Sequence, residues 1–191
     1  MANNDRIYTK AQLRDWLAYE KKIYSVPFLV YLLQISERAV IWKHQKVLRK
    51  TEYHINAKHK IMSCFMRFRL KRIQVNTGLI IPPNVCGRGL RVMHVGSVLI
   101  NSKATIGENC VFHLNSAIVA GGTNNDAPTL GNDVIVGFGA VVLGNTYVSD
   151  GVAIGANAVV NKDVLEPNIA VAGVPAKKIS NNGRFEWNKQ K

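Results

Sequence analysis

Two histidines, His94 in the run Arg91 to Ser97 and His113 directly after Phe112, stand apart from His44, His54 and His59, which fall in a basic stretch. Imidazole is the side chain whose ordinary pKa lies near neutrality, so a neutral histidine can take the proton of a barely acidic hydroxyl. It can also ligate zinc, but a catalytic zinc site draws on three converging protein ligands. Two histidines in one region, and three cysteines (Cys64, Cys86, Cys110) without CxxC spacing, make a poor metal set. No metal is expected. The odd number of cysteines reads as free thiols in a reducing compartment.

A six-residue beat must position this chemistry. An aliphatic or aromatic residue returns at Ile100, Ile106, Phe112 and Ile118, then at Leu130, Val136, Val142, Val148, Ile154 and Val160. Strands alternate with period 2 and helices with period 3.6, so neither alone makes a six. A parallel β-helix does, because each hexad is one short strand plus one tight turn and three hexads close a coil. The apolar residue fills the axis, and a small residue after it, such as Gly107, Gly137 or Gly155, permits the corner. Counting back six from Ile100 puts His94 on the axis, unless the first coil is out of phase. The beat breaks between Gly121 and Pro128, where position 124 would place Asn inside. A loop is expected there, since an unpaired buried amide costs about 1–3 kcal/mol. Gly78 ends a helical lead-in, and Pro82-Pro83 suits a first, edge coil.

The 191 residues carry a net charge of +13, and residues 1–77 hold +11 of it. A helix is expected over 5–22 with Thr9 as a cap. A second is expected from Ser25 and Pro27 through Phe28–Leu33 to Trp42, buried against helices or a subunit, or else lying as an interfacial membrane anchor. Residues 43–72 read as a solvated face or an anionic-membrane surface. No nucleic-acid-reading motif accompanies the charge, so nucleic acid is not expected as a partner. No run reaches the roughly 18–20 apolar residues of a membrane span. The start lacks a basic-then-apolar leader, so the expected location is the cytoplasm, with peripheral contact at the inner face of the membrane.

The hexads, the paired Gly121-Gly122 and above all the closing run Ala172 to Ile179, AGVPAKKI, resemble the left-handed β-helix acyltransferases. The stretch from Ile81 to Gly122 is similar to the serine O-acetyltransferase branch, and more closely to its capsular- and exopolysaccharide O-acetyltransferase relatives. The resemblance implies a mainly β fold. A left-handed parallel β-helix of hexapeptide repeats would occupy 78–179, after a basic α-helical segment over 1–77 and before a tail over 180–191. The left hand comes from the resemblance alone, since parallel crossovers ordinarily turn right. The implied function is an acetyl-CoA-dependent O-acetyltransferase acting on a sugar hydroxyl of a surface-polysaccharide precursor. The alternative is the serine O-acetyltransferase of cysteine biosynthesis.

By the same resemblance His94, a few residues after Gly87-Arg88-Gly89, matches the family's base, and His113 matches a position that is often His in the polysaccharide relatives. Two departures favour the sugar over serine. Met93 and Leu79 stand where the serine branch supports its base with carboxylates, and Ala127 precedes Pro128 where that branch has a second His. His94 would then be oriented by a backbone carbonyl or by Asp126, presented by its loop from this subunit or a neighbour; otherwise Asp126 reads as an Asx turn. Gly121, Gly122, Gly137, Gly139, Ala140, Gly155 and Ala156 would leave backbone bare for the pantetheine arm. Phe138 stands in that slot where relatives usually have a small residue. Lys177 and Lys178 would meet the CoA phosphates. A homotrimer is implied, with the cofactor between neighbouring prisms. Two other readings of the scaffold are a metal-dependent hydratase and a non-catalytic β-helix.

Overall fold

In the computed structural model, which describes residues 6–122 and 126–184, four helices precede fourteen short strands. Helix α1 (Lys10–Tyr24) opens on a capping box: the Thr9 hydroxyl accepts the Gln12 N–H, and the Gln12 side chain accepts the Thr9 N–H. The helix expected over 5–22 therefore begins at residue 10, and residues 1–5 lie outside the described ones. The single helix expected from Pro27 to Trp42 is two. α2 (Phe28–Leu33) stops where Gln34 turns left-handed (φ 53°), and α3 (Glu37–Asn56) restarts behind Ser36, whose hydroxyl accepts the Ala39 N–H. Phe28, Leu29, Leu32 and Leu33 stay exposed, so the burial expected of that run is not made within this chain. α4 (Lys60–Thr77) closes at Gly78 (φ 74°), where a Cβ would come within 2.9 Å of the Gly96 carbonyl carbon. No described helix is long and apolar enough to cross a membrane.

The strands form three faces of a prism. One face is β1 (Leu79–Ile80), β3 (Val98–Ile100), β6 (Ser116–Val119), β9 (Val141–Leu143) and β12 (Val159–Val160). The second is β4 (Thr105–Ile106), β7 (Thr129–Leu130) and β10 (Tyr147–Val148), extended by bridges from Cys86 to Ile106 and from Val148 to Val164. The third is β2 (Arg91–Val92), β5 (Val111–Phe112), β8 (Ile135–Val136), β11 (Ala153–Ile154) and β13 (Ala170–Ala172), with β14 (Lys177–Ser180) added antiparallel. All other pairings are parallel, as the hexads require. Every residue of the beat from Ile100 to Val160 is at most 2% exposed. Leu130 resumes the axis opposite Ile106; position 124, where a loop is expected, lies outside the described residues. Asn109, Asn115, Asp133, Asn157 and Asn168 take left-handed φ of 55–60° at the corners, which their short polar side chains tolerate.

The helices close the first coil. Tyr24, Ile41, Leu48 and Leu70 share one continuous core with Leu79, Ile81 and Val92. Arg49, part of the run expected to be solvated, is fully buried. It bonds Glu20 at 2.8 Å, Glu52 at 2.9 Å and the carbonyls of Cys86 at 2.9 Å and Gly87 at 2.7 Å. His44 is buried on the same helix, and its Nε2 donates to the Leu79 carbonyl at 3.1 Å.

Burial holds the His44 pKa down at about 4, so the fold carries this ring neutral. Between pH 6.5 and 4 the unfolded chain binds the proton that the folded chain refuses, and stability falls as pH drops through that window. The expected loss is up to about 3 kcal/mol at the acid end. Chemical denaturation at both ends of the window should show it, and His44→Gln should flatten that part of the profile. An unchanged slope in the variant would assign the acid loss to other groups.

Candidate active site

The first coil carries an irregularity that decides where His94 goes. Val92 pairs with Phe112 and Ile100 with Ile118, so both are axial, yet eight residues separate them rather than six. The two extra residues swell the corner between β2 and β3. His94, on the axis by strict count, lies exposed on the outside, while Val92 takes the interior at 3% exposure. His94 Nδ1 lies 3.1 Å from Oε2 of Glu37, and Oε1 of the same carboxylate accepts the Val95 N–H at 2.6 Å. Glu37 opens α3, immediately after the capping Ser36.

Backbone ladders stack the same corner of the later coils. Met93 N–H bonds the Phe112 carbonyl, His113 N–H that of Val136, Gly137 N–H that of Ile154, and Gly155 N–H that of Val171. One edge of the prism thus rises from Met93 and His94 through His113 to Gly137 and Gly155. A Cβ on Gly137 would sit 2.6 Å from the Ile154 oxygen, so only glycine fits, and the edge there is bare backbone. His113 is half-buried. Burial first, then the nearby charges of His94 and Arg91, lower its pKa and favour the neutral ring. A cavity of about 520 Å³ lies along this edge, lined by His113, Gly137, Phe138, Gly155 and Ala156, with Ile135, Ala153 and Ala170 as its apolar wall.

Other residues singled out in the sequence lie elsewhere. Gly139 makes a left-handed turn (φ 68°) against Asn157, and Ala140 is fully buried; neither lines the cavity. Gly121 lies against Gly144 at the following corner, next to the exposed Gly122. Lys178 is paired with Glu166 at 2.6 Å, and Lys177, exposed beside it on β14, stands opposite Ala172. Asp126 is exposed where the chain returns towards β7. Within this chain Glu37 meets the His94 ring. Reasoning along the sequence missed Glu37, whose one local signal is its place after a serine cap. Among the described residues no group of three or more His, Cys, Asp or Glu could hold a metal ion. Cys86 and Cys110 are buried thiols, and burial pushes Cys110 up to about 12, so both are inert at neutral pH.

Coils of hexads with a histidine beside a bare-backbone edge belong to the hexapeptide-repeat acyltransferases, and comparison with known proteins narrows the class. A serine acetyltransferase of Helicobacter pylori is 39% identical over 132 residues, 65% of this chain and 75% of the relative. The crystal structure of Neisseria gonorrhoeae serine acetyltransferase in complex with serine superposes with a TM-score of 0.66 at 25% identity, over 90% of this chain and 70% of that one. A serine acetyltransferase in complex with CoA shares the fold with a TM-score of 0.66 at 21% identity, over 89% and 71% of the two chains. No family model matches the sequence. The chain belongs to the serine acetyltransferase family, whose scaffold is the left-handed hexapeptide-repeat β-helix. It spans about half the length of other curated serine acetyltransferases it matches, 45% of one from Synechococcus elongatus and 52% of one from Buchnera aphidicola. The names of these relatives give no support to the polysaccharide branch.

Proposed function

We propose that the chain transfers the acetyl group of acetyl-CoA to the hydroxyl of L-serine, with His94 as general base. The observation that carries the reading is the prism edge that rises from His94 to His113 and on to the bare backbone of Gly137 and Gly155, the last three lining one cavity. The pantetheine arm fits that edge, because bare backbone offers amides and carbonyls to a slender chain without a side chain in the way. The apolar wall of Ile135, Ala153 and Ala170 excludes water from the thioester. Nε2 of His94 takes the serine proton as the hydroxyl oxygen attacks the thioester carbonyl, and the protonated ring returns that proton to the departing CoA sulfur. His113, carried neutral, stands one coil further along to hydrogen-bond the acceptor or the oxyanion.

The family's serine acetyltransferases favour serine. A sugar hydroxyl is the second reading. It rests on Ala127 before Pro128, and on Leu79, fully buried where that branch has a carboxylate. Two proposals accompany either acceptor. A homotrimer would close the open side of the cavity with a neighbouring prism. The outer face of α4, where Ile61, Phe65 and Phe68 are exposed among Arg67, Arg69 and Arg72, offers a contact for anionic lipid. Chemistry fed by acetyl-CoA, in a chain with three free cysteines, fits the cytoplasm. Acetyl-CoA consumption assayed against L-serine and a panel of nucleotide- and lipid-linked sugars tests the function. Turnover with serine supports the first reading, turnover confined to a sugar supports the second, and none with any acceptor removes both.

A further inference from the structure

Resting on the reading of His94 as the base, we infer that Glu37 is its positioning residue, supplied by the helical cap rather than by the β-helix. A carboxylate accepts and cannot donate, so the proton of the neutral ring sits on Nδ1 and the lone pair on Nε2. That is the tautomer a general base needs. The second oxygen, Oε1, accepts the Val95 N–H at 2.6 Å, so one carboxylate holds both the ring and the backbone of the swollen corner. Glu37 lies in the first turn of α3, where the aligned peptide dipoles favour a negative charge. α3 is itself fixed to the first coil by Arg49 on the carbonyls of Cys86 and Gly87 and by His44 on that of Leu79. The carboxylate therefore stands on a rigid support. An ordinary exposed ion pair contributes little, and both side chains are about half exposed. The role of Glu37 lies in orientation and tautomer.

Glu37→Gln separates the two roles. Its amide oxygen still accepts the Val95 N–H, while its NH₂ donates to Nδ1 and drives the ring proton onto Nε2, where it blocks the base. The expected result is a kcat lower by about 10² or more, with the KM for acetyl-CoA and the melting temperature unchanged. Nitrogen-15 NMR of the His94 ring should show the proton on Nδ1 in the native protein and on Nε2 in the variant. Glu37→Asp should recover part of kcat. An unchanged ring tautomer in Glu37→Gln, or an unchanged kcat, would overturn the assignment. Failure of the native protein to acetylate any acceptor would instead sink the proposed function, and the tautomer measurement would still judge Glu37.

Discussion

His94→Ala is expected to lower turnover by about 10²–10⁴, the usual contribution of a positioned general base. The ring lies on the outside of its corner and fills no part of the axis, so the truncation leaves no cavity in the core. Val92 and Ile100 hold the coil in place on either side of it. The loss should fall on kcat, because the cavity wall and the bare edge at Gly137 and Gly155 are untouched. Steady-state kinetics beside a thermal melt would measure both. His113 is the informative control. It is half-buried and close enough to His94 to feel its charge, but its corner carries no Glu37. Should His113→Ala cost more than His94→Ala, the base would be His113. Unchanged turnover in His94→Ala would remove that residue from the reaction.

Arg49→Met is expected to destabilise the fold by about 3–5 kcal/mol, since it strands two buried carboxylates without their counter-ion. Glu20 is fully buried and Glu52 nearly so, and Arg49 is the guanidinium between them. The substitution also frees the carbonyls of Cys86 and Gly87, through which α3 grips the first coil. In a chain of this size each kcal/mol moves the melting temperature by about 2–4 °C. Denaturant titration of the variant would give the free energy directly. A triple replacement that neutralises Glu20 and Glu52 as well should recover much of the loss, because buried ionic sets often cost in desolvation what they gain in attraction. A small loss in the single variant would mean that water reaches the two acids.

The beat fixed the prism from Ile100 to Val160 because each axial position is dictated by steric need, and steric need is periodic. The same rule misplaced His94, since a corner can gain length without any change in the residues that flank it. The bare edge at Gly137 and Gly155 was legible because glycine is the one residue that fits there. Gly121, Gly122, Gly139 and Ala140 look identical in the sequence, yet the fold places them at turns or in the interior, outside the cavity lining. Glu37 was not legible, because its partner is 57 residues away on a different kind of element. Arg49 sat among exposed lysines and arginines, and only the fold distinguishes the buried cation from the solvated ones.

The swollen corner at residues 93–97 bears on how such a molecule can diverge. Each strand takes its register from the ladder beneath it, so position is inherited across space and is not counted along the chain. Phase lost at one corner is restored on the next face, as Ile100 shows after the swollen corner. Closing a longer loop costs only about 0.6 kcal/mol per doubling of its length. Insertions at corners are therefore nearly silent for the scaffold and decisive for the surface. Deleting two residues here would return the count to six and remove the swollen corner on which His94 and Val95 meet Glu37. A coil that looks invariant can thus gain or lose a reactive group through a change in length alone.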